Sequence, residues 1–297
     1  MLKMLRRVLK RVPFLVFLVK SYERTMVSIT RKKRMRALGK VSAPFLPSSD
    51  SKIVVSLTSF PARIDQLWIV IESLFQQDIE LYRVVLTLAE PQFPDRKIPS
   101  SLERQVERGL ELVWIDKDIR SYKKLIPVIS MYPDHHIITV DDDVVYSRSQ
   151  IRELIEVEAE NPGSIVGHRG WEIGIKNNVF EKYINWGKAS RKSESPGLML
   201  TGIGGILYPP GSLDKDMVID LDLAMNICPT ADDIWFWAAA VKNNTRIICL
   251  GNHRQIEIDY KGKDTPLHKV NSVGGENDKQ LERVVSHFGL RNHLQGL

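Results

Sequence analysis

The stretch Ile137-Ile138-Thr139-Val140-Asp141-Asp142-Asp143-Val144-Val145-Tyr146 places three carboxylates between an apolar strand pattern and a second apolar pair. Three adjacent acids repel one another and resist burial, so the cluster needs a partner. Hard oxygen ligands suit Mg²⁺ or Mn²⁺, and either ion can bridge the two phosphates of a nucleoside diphosphate. In an extended strand Asp141 and Asp143 point to one side and Asp142 to the other, which favours the outer two as metal ligands. The alternative interpretation is an acidic turn at the surface.

Strand and helix patterns alternate around this stretch. The predicted strands are Ile53–Leu57, Arg83–Leu88, Glu111–Ile115 and Ile137–Val140, and the predicted helices between them are Leu67–Phe75, Ser100–Arg108 and Tyr122–Met131. This alternation implies right-handed crossovers and a mainly parallel sheet with helices on both faces, which is an α/β fold. Ligands of such sheets gather beyond the carboxyl ends of the strands, so we expect functional residues in the segments that follow them.

Two further charged motifs fall where ligands are expected. Arg120, Lys123 and Lys124 follow the third strand and open a predicted helix, so they would face an anion such as a pyrophosphate. Exposed helix lysines are the plainer interpretation. Asp232 and Asp233 begin an apolar helix, where capping explains one acid and leaves the second for chemistry.

A glycine-rich stretch, GIGGILYPP at residues 202–210, precedes a short strand pattern. It lacks the Gly-Lys-Ser/Thr of a P-loop, so it is not a phosphate cradle of that kind. Glycines at such a place allow a sugar or a backbone to approach closely. A plain tight turn is the competing interpretation.

Positive charge is concentrated at the start of the chain. Residues 1–40 contain 13 Lys or Arg and one acid and carry +12, so the rest of the chain carries −6 of the total of +6. Apolar residues at helical spacing from Leu2 to Val12 indicate a basic amphipathic helix suited to an anionic membrane surface. The apolar run Val12 to Val19 is far shorter than the roughly 20 residues needed to cross a bilayer. A solvated or partner-bound tail that binds nucleic acid non-specifically is the alternative.

The chain thus divides into a membrane-associating segment at 1–41, a Pro- and Ser-rich linker at 42–51 and a catalytic domain at 52–297. Cys228 and Cys249 lie among apolar neighbours outside any CxxC or zinc pattern, so we expect buried, reduced thiols. A disulfide between them is the alternative. We expect the protein to lie in the cytoplasm, peripherally on the inner face of the cell membrane.

The motifs together resemble a known class of enzyme. An apolar strand followed by Asp-x-Asp and an apolar residue is similar to the metal-binding signature of GT-A glycosyltransferases. Residues 55–64 (VSLTSFPARI) resemble the nucleotide-binding opening of a bacterial family, family 2-like, that makes surface polysaccharides. Residues 120–125 (RSYKKL) and 230–236 (TADDIWF) resemble its other motifs, in the expected order, and the likeness covers roughly residues 52–290.

This resemblance implies a GT-A, Rossmann-like fold and a hexosyltransferase-like activity. The enzyme would use Mn²⁺ or Mg²⁺ to move a sugar from a nucleotide-diphosphate sugar, most simply a UDP-sugar, to a glycan or lipid-linked acceptor in surface polysaccharide synthesis. In inverting enzymes of this class an acid at the start of such a helix removes the acceptor proton, which favours Asp233 as the base. Asp232 would then cap the helix or bind the acceptor, and the reverse assignment stays open.

The resemblance also assigns binding residues one by one. Metal ligands are Asp141 and Asp143 with a third from the C-terminal part, for which His268 and His253 are the candidates. The donor nucleotide and sugar would contact Thr58, Arg63, Asp65, Arg120, Lys124, Asp142, Gly204 and Gly205.

Two rival functions remain open on sequence. A metal-dependent phosphohydrolase or nucleotidyltransferase would also use carboxylates with a divalent ion, but it calls for a second cluster of metal ligands. A membrane- or nucleic-acid-binding protein acting through its basic arm would be basic elsewhere too, and the acidic remainder argues against specific nucleic-acid binding.

Overall fold

The first four strand patterns form the parallel half of the central sheet. They are β1 (Ile53–Thr58), β2 (Arg83–Ala89), β3 (Leu110–Ile115) and β4 (His136–Thr139), joined through α1 (Leu67–Phe75), α2 (Ser100–Glu107) and α3 (Ile126–Met131). They pair in the order β3-β2-β1-β4, all in parallel. Most residues of β1, β2 and β4 are buried on both faces, which explains their continuous apolar runs.

The computed structural model describes residues 38, 45, 50–80, 82–177, 179–190, 193–251, 256–258, 271–272 and 274–294. The chain divides into two units, residues 1–43 and 44–297, and the central sheet with its helices belongs to the second unit. The predicted amphipathic helix of the basic segment lies outside the described residues, and the predicted domain boundaries stay predictions. No helix in these described ranges is long and apolar enough to cross a membrane.

The second half of the chain adds strands of both directions. Its elements are β5 (Val144–Val145), α4 (Gln150–Glu160), β6 (Ile165–Gly167), β7 (Gly170–Glu172), β8 (Ile175–Lys176), β9 (Val179–Phe180), β10 (Gly187–Lys188), β11 (Ser193–Glu194), β12 (Leu198–Leu200), β13 (Ile206–Tyr208), α5 (Lys215–Ile219), α6 (Leu221–Ile227), α7 (Asp232–Lys242), β14 (Ile247–Cys249), β15 (Ile256–Glu257) and α8 (Glu276–Phe288). Within the described residues the eight-stranded order is β11-β14-β6-β13-β4-β1-β2-β3. This mixed, mostly parallel sheet with flanking helices confirms the predicted α/β class.

The direction of β13 decides where the glycine-rich stretch lies. β13 runs antiparallel to β4, with Ile206 opposite Thr139, so its amino end meets the carboxyl end of β4 at one edge of the sheet. The buried helix α7 begins near this edge and is packed by α8. Its apolar residues lie on all sides, as expected for a helix inside the core. Cys228 and Cys249 are buried free thiols, which confirms that prediction.

Candidate active site

A buried lysine links the acidic triplet to the acid pair of α7. Lys124 Nζ lies 3.0 Å from Oδ1 of Asp141 and 3.1 Å from Oδ2 of Asp232. Burial by itself lowers the pKa of Lys124, but the carboxylates of Asp141, Asp232 and Asp233 outweigh it and hold that pKa well above its ordinary value. Lys124 is therefore a fixed positive charge between two sets of carboxylates.

Arg63 supplies a second fixed charge on the other side of the triplet. Its Nη1 donates to Oδ1 of Asp142 at 2.5 Å and to Oδ2 of Asp143 at 2.9 Å. The hydroxyl of Ser59 donates to Oδ2 of Asp142 at 2.6 Å. Burial raises the pKa of Asp142, and Arg63 and Ser59 offset part of that rise. Asp142 is therefore held by protein groups on both of its oxygens.

The alternation predicted for the three acids is wrong. Residues 142 and 143 lie in a turn, because the chain leaves β4 at Thr139 and enters β5 only at Val144. Asp142 and Asp143 consequently converge on one guanidinium, whereas Asp141 faces Lys124. The backbone N–H of Asp141 donates to the Tyr146 hydroxyl at 2.8 Å, which fixes the start of the turn.

The triplet still offers donors that suit a hard divalent cation. The side chains of Asp141 and Asp143 are 30% and 29% exposed, so both are within reach of a bound ligand. Mg²⁺ typically takes one or two carboxylates and completes its shell with water and substrate phosphates, so these two suffice in number. Among the described residues, no three His, Cys, Asp or Glu side chains form a ready-made metal site. The third ligand predicted at His268, like the alternative His253, lies outside the described residues.

Asp233 faces the glycine-rich turn and does not cap its own helix. The N-cap of α7 is Ala231, which makes no side-chain capping hydrogen bond. The carboxylate of Asp233 accepts the backbone N–H of Gly202 at 3.2 and 3.4 Å. Burial, and after it the carboxylate of Asp232, raises the pKa of Asp233 to about 7, against the lowering effect of Lys124. A carboxylate with a pKa near neutrality is well matched to proton transfer at neutral pH.

The glycine-rich stretch forms a tight turn and also brings its backbone close to the charged side chains of the site. Gly202–Gly204 form a 3-10 turn, and Gly205 has a φ of +79°. A Cβ on Gly202 would lie 2.6 Å from Lys124 Nζ and 2.8 Å from Oδ1 of Asp141. Only glycine therefore lets the backbone reach the charged cluster here, so both interpretations of the sequence apply.

Three of the predicted nucleotide contacts do not join the charged cluster. The hydroxyl of Thr58 donates to the carbonyl of Thr87 at 2.8 Å, and Asp65 is exposed in a short 3-10 helix. Arg120 is exposed and donates to the carbonyl of Pro229 at 3.4 Å. Thr58 is the last residue of β1, Asp65 follows that strand and Arg120 follows β3, and their assignment to a nucleotide stays a prediction.

Aromatic side chains border the site near Asp233. The ring of Tyr183 lies 4.8 Å from that of Trp186 and 6.2 Å from that of Trp171. Burial, and also the charge of Asp233, raise the pKa of the Tyr183 hydroxyl. The guanidinium of Arg169 lies 5.2 Å from the centre of the Trp171 ring. Aromatic and cationic groups thus lie beside the candidate base.

Sequence reasoning missed two side chains that bond to the acidic triplet, Ser59 and Tyr146, and two that bond to Thr230 before α7, Asn271 and Gln280. Ser59 lies inside the motif at residues 55–64, and the parallel pairing of β1 with β4 was the available signal that it reaches Asp142. Tyr146 lies five residues after Asp141, whereas Asn271 and Gln280 reach Thr230 from 41 and 50 positions away through the three-dimensional fold.

Comparisons with known proteins give likeness to solved structures only. No family model and no curated protein matches the sequence. The mannosyltransferase PcManGT from Pyrobaculum calidifontis, in complex with GDP-Man and Mn²⁺, is 12% identical with a TM-score of 0.43, over 94% of this chain and 87% of that one. TarS 1-349 of S. aureus is 13% identical with a TM-score of 0.49, over 82% and 72% of the two chains. The same protein with UDP bound gives 13% identity and a TM-score of 0.49, over 80% and 72%.

Proposed function

We propose that this chain is a metal-dependent glycosyltransferase that moves a sugar from a nucleoside-diphosphate donor to an acceptor hydroxyl with inversion. The observation that carries the proposal is the bridge through Lys124. It joins Asp141, a partly exposed carboxylate at the carboxyl end of β4, to an acid pair whose member Asp233 has a pKa near 7. Lys124 thereby holds a carboxylate that could bind a metal ion on one side and a candidate base on the other.

The residues divide the chemistry between them. Asp141 and Asp143 would hold Mn²⁺ or Mg²⁺, and the ion would supply positive charge to stabilise the departing diphosphate. Asp233 takes the proton of the acceptor hydroxyl while that oxygen bonds to the anomeric carbon and the bond from this carbon to the diphosphate breaks. A single displacement from the opposite face inverts the anomeric centre. Lys124 keeps Asp141 and Asp232 fixed throughout.

The acceptor and the location belong to the same proposal. A UDP-sugar is the donor tested first, and the acceptor is a glycan or a lipid-linked sugar of a surface polysaccharide. The +12 charge of residues 1–40 would bring the enzyme to anionic lipid at the cytoplasmic face of the membrane, where a lipid-linked acceptor is carried.

A panel of nucleotide sugars tests the proposal on the full chain. With Mn²⁺ present, one donor at about 100 times its Kd should stabilise the protein by about 2.7 kcal/mol. At about 2–4 °C per kcal/mol for a domain of this size, its melting temperature should rise by about 5–10 °C. The same donor with EDTA in place of Mn²⁺ is the control, and it should give little or no rise.

The product distinguishes this activity from phosphoryl chemistry. A transferase, even when it hydrolyses its donor slowly without an acceptor, releases a nucleoside diphosphate and a sugar. Release of orthophosphate, or of a nucleoside monophosphate with a sugar phosphate, would establish the rival phosphohydrolase. A chain that no nucleotide sugar stabilises, with or without Mn²⁺, would refute the proposal.

A further inference from the structure

Thr230 is held at every polar atom by two side chains distant in sequence. Its backbone N–H donates to Oε1 of Gln280 at 2.9 Å, and its hydroxyl accepts from Nε2 of Gln280 at 2.8 Å. The same hydroxyl donates to Oδ1 of Asn271 at 2.7 Å, and the carbonyl of Thr230 accepts from Nδ2 of Asn271 at 2.7 Å. We call these three residues the Thr230 clamp. Its four hydrogen bonds hold both the backbone and the side chain of Thr230 in place.

The clamp is anchored at a buried side chain, Gln280, while Thr230 and Asn271 are half-buried. Gln280 is 0% exposed, and a buried amide is retained only where its hydrogen bonds are made. Gln280 lies in the first turns of α8, where Oδ1 of Asp278 also accepts the backbone N–H of Tyr183 at 2.7 Å. One end of α8 thus holds both the segment that enters α7 and the aromatic segment beside the candidate base.

The position of the clamp connects it to Asp233. Thr230 precedes Asp233 by three residues, and Ala231, the N-cap of α7, makes no side-chain capping hydrogen bond. The entry to the helix is therefore fixed by the clamp on one side and by the bond from Gly202 to Asp233 on the other. We infer that Gln280 and Asn271 are positioning residues that hold Asp233 at the acceptor hydroxyl. The inference rests on the proposed function.

Isosteric variants of the clamp test this role. Thr230→Val keeps the branched shape and removes the hydroxyl, Thr230→Ser keeps the hydroxyl, and Gln280→Met keeps the length without polar atoms. We expect kcat for sugar transfer to fall about 10- to 100-fold in Thr230→Val and Gln280→Met, because small displacements of a catalytic group are costly. Thr230→Ser should stay within about threefold of the wild type. The donor KM should change little, since the clamp does not touch the acidic triplet.

Two comparisons separate positioning from plain loss of stability. Val284→Ala removes buried methyl groups from the same helix, so it should lower the melting temperature and leave kcat unchanged. The double variant Thr230→Val with Gln280→Met should lose less activity than the product of the two single losses, because both substitutions remove the hydrogen bond between Gln280 Nε2 and the Thr230 hydroxyl.

The possible results separate a failure of the clamp inference from a failure of the proposed sugar transfer. An active wild type whose Thr230→Val and Gln280→Met variants keep kcat would overturn the clamp alone. A loss of kcat that Val284→Ala reproduces at the same fall in melting temperature would overturn it too. A wild type that transfers no sugar from any donor would overturn the proposed function, and this inference with it.

Discussion

Replacing Asp233 with Asn should lower kcat for sugar transfer by about 10²–10⁴-fold, the usual contribution of a general base. The amide keeps the shape of the side chain and can still accept the N–H of Gly202, but it cannot take a proton. In the wild type, kcat should rise with pH through about 7 as the carboxyl ionises. Steady-state kinetics of both proteins from pH 5 to 9 measures this.

The same variant should be more stable than the wild type at alkaline pH. The pKa of Asp233 is raised from 3.8 in the unfolded state to about 7 in the folded state. The stability that the protonated carboxyl contributes is therefore fully present below pH 3.8 and is lost as the pH rises through 7. Asn does not ionise, so it loses no stability as the pH rises. The melting temperature of Asp233→Asn should exceed that of the wild type by about 2 °C or more at pH 8, with no such gain near pH 4. Asp232→Asn is the control: it removes a partner of Lys124 and should not stabilise. If Asp232→Asn abolishes transfer and Asp233→Asn does not, the base is Asp232.

Replacing Lys124 with Met should give the largest loss of stability. The ammonium is buried among the carboxylates of Asp141, Asp232 and Asp233, and its removal leaves them without their shared positive charge. Breaking a buried ion pair on one side costs about 3–5 kcal/mol. That cost corresponds to a fall in melting temperature of about 10 °C, and nucleotide-sugar binding should be lost with it. Urea unfolding and donor titration measure the two effects.

A second buried ion pair provides the matched control. Arg108, directly after α2, pairs with Glu72 of α1, and Glu72 is 1% exposed. Arg108→Met should also destabilise the protein, but the folded fraction should keep its kcat. The double variant Lys124→Met with Asp232→Asn should regain part of the stability, because it removes one of the excess carboxylates. A Lys124→Met protein as stable and as active as the wild type would contradict this picture of the site.

Much of the fold could be predicted from the order of apolar runs. The strands β1 to β4 are continuous apolar segments separated by helical patterns, and parallel pairing with buried faces is the arrangement that such runs favour. The carboxyl-edge rule predicts that Asp141 and Lys124 lie in one region, and the resemblance to GT-A enzymes adds Asp233. The structure brings Asp141 and Asp233 together around the positive charge of Lys124.

What the sequence did not predict depends on turns and on long-range hydrogen bonds. The extended geometry assumed for the triplet failed because the strand ends one residue before Val140, and the turn at Asp142 sends that side chain to Ser59 and Arg63. The clamp on Thr230 joins residues 41 and 50 positions apart, and no periodicity encodes such contacts. The nucleotide contacts predicted for Thr58 and Asp65 depend on a bound ligand, and patterns of apolar residues do not describe ligand contacts.

The central claim is that the acidic triplet binds a nucleoside diphosphate through a divalent ion. Calorimetric titration of UDP and GDP into the full chain, with and without Mn²⁺, tests it on the wild type and on the double variant Asp141→Asn with Asp143→Asn. We predict that Mn²⁺ strengthens binding of one nucleotide at least about tenfold in the wild type, a gain of about 1.4 kcal/mol, and has no effect on the folded double variant. Equal affinity with and without Mn²⁺ in the wild type, or an undiminished response in the double variant, would contradict the account.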